Sequence, residues 1–224
     1  MKKVILGIAL LAMVFSARVF GEESVKLPAP DTKGGAPFNQ VVNSRRSVRS
    51  YKEVPISVQD LSQLLWAAQG VTDPKTGHRS APSAVASYPL KLYAVVKAGG
   101  VTGLDAGVYL YQPKDHSLAV VKKGDMYPEL LKAVPFFNKW ISKTDVVFIF
   151  TGAGTFMTKT IDDTGWMFVD MEGGMASENL MLQAVSMGLG STPAGGFTDK
   201  KVGKILGLDE KAKTQLLVPV GKPE

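Results

Sequence analysis

Arg45-Arg46-Ser47-Val48-Arg49 places three guanidinium groups and a hydroxyl within five residues, just after a short amphipathic stretch. Each guanidinium can offer two parallel N–H bonds to the oxygens of one anion, so this density of donors suits a dianionic phosphate. The plainer reading is a solvated basic helix end, favoured there by the helix macrodipole. Two loops bear on the choice. Arg79-Ser80-Ala81-Pro82-Ser83-Ala84 is small and rigid and is followed by Tyr88-Pro89 and a strand-like run. Gly188 to Phe197 has the same character at the end of a Met-rich helical stretch. Small side chains let the main chain approach a planar ligand closely. With the arginines, the two loops point to a phosphorylated cofactor carrying a flat ring rather than to a phosphorylated substrate.

Other chemistries fit the sequence poorly. It holds no cysteine, which excludes disulfides, thiolate catalysis and cysteine metal sites. His78 and His116 are its only histidines and share no metal-ligand spacing. No G-x-S-x-G occurs, which argues against a serine hydrolase. Gly152-Ala153-Gly154 follows an apolar run but lacks the third glycine of a dinucleotide loop, and it reads as a strand-end turn. Asp162-Asp163 and Asp170-Met171-Glu172 read as a solvated loop and the approach to a helix.

The elements that must position these residues follow from periodicity. Phe38 to Ser44 is a short candidate helix with Phe38, Val41 and Val42 on one side. Ser57 can cap a longer one, with Asp60 three residues on, Leu61, Leu64, Leu65 and Ala68 on one face, and Gly70 as its stop. Leu90–Val96, Val108–Gln112, Ser117–Val121, Asp145–Thr151 and Gln215–Val220 read as strands, the middle pair a hairpin with a polar tip at 113–116. Helices are expected at Met175–Met187 and, capped by Thr198, at Asp199–Leu206. Strands and helices interleave irregularly, so the class is α+β.

At the N-terminus, Lys2 and Lys3 precede an apolar run to Phe15, and Val19-Phe20-Gly21 suits a cleavage site. Residues 1–21 therefore read as a secretory signal peptide, with an uncleaved anchor as the alternative. The run is too short to span a bilayer, so no stable membrane span is expected after cleavage, and the protein is expected to be exported to the periplasm. Residues 22–37 read as an extended linker and 38–224 as the folded domain. Cleavage leaves 23 basic against 20 acidic residues, a charge of +3, too mild to argue for nucleic acid.

Six segments in order resemble the FMN-dependent nitroreductase family, most closely its SagB-type dehydrogenase branch. They are RRSVRSY (45–51), LSQLLWAAQG (61–70), RSAPSAVASYPLKLYAVV (79–96), GLDAGVYLYQPKDHSL (103–118), the stretch 178–208 and LLVPVG (216–221). The resemblance covers the folded domain. It implies a nitroreductase-like α+β fold, with a mixed, mostly antiparallel sheet of about five strands flanked by helices. It also implies a homodimer with FMN at the subunit interface. Arg45, Arg46, Ser47 and Arg49 match the family's phosphate and ribityl contacts. Pro82, Ser83 and Ala84 match the loop along the isoalloxazine ring, and Gly195 and Gly196 the backbone donors near flavin N5 and O4.

The sequence departs from the family in places. Val85 stands where glycine is usual, Lys222 is the only basic residue near the C-terminal end of the last strand, and the Lys-Tyr pair of peptide azoline dehydrogenases is absent. The activity implied is ping-pong hydride transfer from NAD(P)H or another donor, through FMN, to a nitroaromatic, a quinone or a similar small-molecule acceptor. No acid, base or nucleophile side chain is identifiable. The rival reading is an exported non-catalytic protein that binds flavin or serves as an interaction scaffold.

Overall fold

Alternation along Val146–Gly152 (β10, numbered in chain order) sends Val146, Phe148 and Phe150 to one face of a sheet and Val147 and Ile149 to the other. All five are fully buried. A strand covered on both faces can be apolar throughout, and this explains its unbroken run. The computed structural model describes residues 23–152 and 162–224, so the signal segment lies outside the described residues.

The main sheet runs in the order Ser24–Lys26 (β1), Ser117–Lys123 (β9), Gly107–Gln112 (β8), Leu90–Val96 (β6), β10, Lys213–Pro223 (β12) and Gly190–Ser191 (β11). Tyr51–Lys52 (β2) pairs with the end of β12, and every pairing in this sheet is antiparallel. The five strands expected from the sequence are its five central ones. The additions are short and lie at its margins. Two small ribbons complete the strands: Ile56–Ser57 (β3) lies parallel to Val101–Thr102 (β7), and Val71–Asp73 (β4) pairs with His78–Arg79 (β5).

Helices cover both faces. Against one face pack Val58–Gln69 (α2) and the long helix Asp162–Ser186 (α4). Against the other pack Tyr127–Leu131 (α3), Asp199–Leu206 (α5) and a 3-10 segment, Phe136–Lys143. Phe38–Ser44 (α1) is as expected from the sequence, but only Val41 is buried, while Phe38 and Val42 stay exposed.

The capping of α2 is reciprocal. Asp60 N–H donates to Ser57 Oγ at 3.0 Å, and Ser57 N–H donates to the Asp60 carboxylate at 2.9 Å. Gly70 ends the helix for a steric reason: its φ of −65° is ordinary, but an added Cβ would lie 2.3 Å from Trp66 Cδ1. Gly207, which ends α5, does take the left-handed conformation, with φ 67°.

Part of the stretch expected to be an extended linker, residues 24–31, lies on the domain. Ser24–Lys26 pairs with Ala119–Ser117, and Leu27 is buried. Ser62 Oγ donates to Pro28 O at 2.6 Å, and Asp31 and Gln63 exchange two hydrogen bonds.

Candidate functional site

The arginine cluster begins where α1 stops, and Arg45 N–H still donates to Val41 O as the last helical bond. Arg46 turns back over that helix end. Its Nη1 donates to Asn43 O at 3.0 Å and Arg45 O at 2.7 Å, so part of its donor capacity satisfies carbonyls a helix terminus leaves open. Arg45 is half-buried, with Nε 3.7 Å from Glu178 Oε1 of α4. Arg49 is exposed, its guanidinium 5.9 Å from the Trp140 ring centroid, a weak cation–π approach.

Backbone bonds hold the cluster in place. Ser47 bridges Ser191 of β11, Val48 N–H donates to Ser191 O at 3.1 Å, and Thr192 Oγ1 donates to Val48 O at 2.8 Å. Tyr51 OH donates to the same Val48 carbonyl at 2.6 Å. Gly190 permits the approach, because a Cβ there would lie 2.8 Å from Val48 Cγ1.

Gly195 and Gly196 follow on the same side. Ala194 exchanges two backbone bonds with Leu217 of β12, at 2.8 and 3.2 Å. Asn138 Nδ2 donates to Gly196 O at 3.2 Å, which fixes the plane of the next peptide. The N–H groups of Gly195 and Gly196 have no hydrogen-bond acceptor among the described residues. A Cβ on Gly195 would meet nothing within 4 Å, so this backbone faces open space. Asn138 escaped the sequence reading because its role depends on a distant loop.

The loop Pro82-Ser83-Ala84 is anchored elsewhere. Ser80 N–H donates to Gly70 O at 2.9 Å, and Asn179 Nδ2 reaches Ser80 O at 3.4 Å. Ser83 Oγ accepts from Tyr88 N–H at 2.8 Å. Three non-glycine residues here have positive φ: Val85 at 46°, Ala86 at 53° and Tyr88 at 45°. Val85, where the family resemblance expects glycine, thus holds a backbone conformation that glycine adopts without strain. Pro82 is exposed, and Ser83 and Ala84 are half-buried.

The structure therefore joins the arginine cluster to the glycine pair through β11 and β12, and to the 82–84 loop through adjacent residues of α4. Among the described residues no hydrogen bond runs directly between the loop and the glycine pair.

Behind the loop sits a carboxylate that the sequence placed in the approach to a helix and the structure places within α4. Glu172 is 1% exposed, on the buried stripe of α4 that includes Val169, Ala176 and Leu180. Burial raises its pKa, against the opposing pull of Ser83, Arg79 and Gln69. Its Oε1, Gln69 Nε2 and Ser80 Oγ are buried without a hydrogen-bond partner among the described residues. An acid at helical spacing within an apolar stripe is the signal that could have found it. Arg79 Nη1 donates to Gln69 Oε1 at 2.8 Å, and its guanidinium lies 4.4 Å from the Tyr88 ring centroid.

An FMN fits this chemistry. The arginines suit the phosphate, the unpaired amides of Gly195 and Gly196 suit an electron-rich ring edge, and buried polar groups stand ready behind the loop. The family model described as "Nitroreductase family" matches residues 42–222. A nitroreductase relative from Methanocaldococcus jannaschii is 34% identical over 200 residues, covering 89% of this chain and 98% of its own. A nitroreductase structure from Ralstonia eutropha JMP134 superposes with TM-score 0.78 at 24% identity, over 92% of each chain. A Staphylococcus epidermidis protein described as an NAD(P)H:FMN oxidoreductase superposes with TM-score 0.60 at 17% identity, over 87% of this chain and 91% of its own. With the fold and these matches in agreement, the chain belongs to the nitroreductase family of oxidoreductases.

Proposed function

We propose that this protein is an FMN-dependent oxidoreductase of the SagB-type branch, reducing a nitroaromatic, quinone or similar acceptor at the expense of NAD(P)H or another small-molecule donor. The observation that carries the proposal is the pair of free amides at Gly195 and Gly196, held by Asn138 and β12 on the same frame as the arginine cluster.

Arg45 and Arg49 would hold the phosphate, with Arg46 contributing the donors not used on the α1 terminus and Ser47 its hydroxyl. Pro82, Ser83 and Ala84 would lie along the ring, with Ser83 backed by Glu172. Gly195 and Gly196 would donate toward N5 and O4, where the reduced ring gathers charge. Bound FMN supplies hydride acceptance and release, and the protein orients it without an acid or base side chain.

The working unit in this proposal is a homodimer. Met167, Met171 and Met175 form an exposed stripe along α4, and Phe38 and Val42 are exposed on α1. A second copy would cover this apolar surface and complete the flavin sites. Export of the chain through its N-terminal signal remains part of the same reading.

The decisive measurement is an FMN titration followed by an absorbance spectrum, then turnover of NADH or NADPH with a quinone or nitroaromatic. Protein that stays colourless in excess FMN sinks the proposal.

A further inference from the structure

A cavity of about 750 Å³ lies between the N-terminal arm, the end of α2 and the tip of the β8–β9 hairpin. It contains none of the residues assigned above to FMN. Its size falls within the usual range for small-molecule sites. Leu27, Pro30, Trp66 and Tyr111 give it apolar walls. Three cationic side chains, Lys26, Arg79 and Lys114, line it against one carboxylate, Asp115.

His116 also lines the cavity but belongs to its wall. Its Nδ1 pairs with Tyr111 OH at 2.8 Å, and its Nε2 with Ser62 Oγ at 2.7 Å and Pro28 O at 3.0 Å. Burial lowers its pKa, against the opposing pull of the Pro28 carbonyl. Arg79 differs. It is half-buried, the buried Glu172 carboxylate attracts it through space, and among the described residues its guanidinium makes one hydrogen bond, from Nη1 to Gln69. A partly desolvated guanidinium with donors to spare is a site for an anion. Lys26 and Lys114 are exposed at the rim and give the entrance the same sign.

We propose that this cavity binds a small organic carboxylate with a flat aromatic body, its carboxylate on Arg79 and its ring against Trp66. The site needs no flavin, so it stands or falls separately from the function proposed above.

The test is calorimetric titration of the purified protein with 2-naphthoate, with the uncharged 2-naphthamide as control. Saturable binding of the acid is expected, with the amide about tenfold weaker or worse, since the charge-assisted pair is lost. The double variant Lys26→Glu/Lys114→Glu reverses two exposed charges, and Ala29→Trp fills the cavity from the arm. Each should weaken naphthoate by about tenfold while leaving FMN affinity unchanged. Excess FMN should not displace naphthoate. No binding, equal affinity for the amide, affinity unchanged in both variants, or displacement by FMN would each overturn the proposal. A protein that binds naphthoate but no FMN would keep this site and remove the flavin assignment.

Discussion

Arg45 and Ser80 are held by consecutive residues of one helix. Arg45 Nε sits 3.7 Å from Glu178 Oε1, and Ser80 O accepts from Asn179 Nδ2 at 3.4 Å. A single step along α4 thus references the arginine cluster and the base of the 82–84 loop. The Arg45–Glu178 pair is partly exposed, so it contributes little stability and leaves the guanidinium able to exchange a carboxylate for a phosphate.

Arg45→Ala combined with Arg49→Ala should weaken FMN by about tenfold or more, because two charge-assisted donors are lost. Thermal stability should stay close to wild type, since neither side chain packs in the core. Flavin fluorescence quenching together with a melting curve separates the two effects. Unchanged affinity would refute the phosphate assignment. Glu178→Ala should leave affinity equal or higher, because it removes the competing anion.

Val85→Gly should stabilise the protein. Val85 holds φ 46° and ψ 31° while 82% exposed, so a β-branched residue bears left-handed strain with almost no burial in return. The expected gain is about 0.5–1 kcal/mol after glycine's added unfolded-state entropy, or about 1–4 °C in Tm. A lower melting temperature would show that the loop is not strained.

Glu172→Ala should destabilise by about 2–4 kcal/mol, because Arg79, Gln69 and Ser83 would face an emptied buried site. Glu172→Gln keeps the shape and should cost less. Chemical denaturation of both variants ranks them, and equal costs would mean that volume rather than polarity matters here.

Asp145 gives stability a pH dependence. Burial raises its pKa from 3.8 to about 7, only partly offset by Lys97 and Lys222. The folded state binds this proton more tightly than the unfolded state does. Its contribution is therefore most favourable below pH 3.8 and declines as pH rises to about 7. Asp145→Asn should change stability little near the acid end and raise it by about 1–3 kcal/mol at alkaline pH. Denaturation midpoints across that range test the sign, and a benefit confined to acid pH would contradict it.

Ser57→Ala removes one half of the capping box on α2 and should cost about 1 kcal/mol, read from urea unfolding.

The sequence made some features legible because their causes are local. Ser57 and Asp60 fix the start of α2, and the alternating or unbroken apolar runs fix the five central strands. The segments proposed to face the flavin stood out in the sequence by side-chain size and donor type. Non-local features were hidden. Val25 and Leu27 are too few to signal a strand, and Ser24–Lys26 becomes one because β9 offers an open edge. The beginning of α4 was missed because Gly173 and Gly174 look like breakers. Packing overrides their propensity, and a Cβ on Gly173 would lie 3.7 Å from Gln215 Cβ. Buried Val169 and exposed Met167, Met171 and Met175 also make α4 apolar on more than one side, which blurs its helical period. Glu172 was hidden by that same blur.

Strand β12 has a consequence beyond its pairing. Ser191 lies opposite Val220, Ala194 opposite Leu217, and Tyr51 opposite Pro223, while Ser47 leans on Ser191. The span from the arginines to the glycine pair is therefore a length written into one strand and the three-residue step from Ser191 to Ala194. Lengthening that step would stretch the gauge, whereas insertions in most other loops would leave it untouched. The fold can vary widely around its rim and still measure out a ligand of one size.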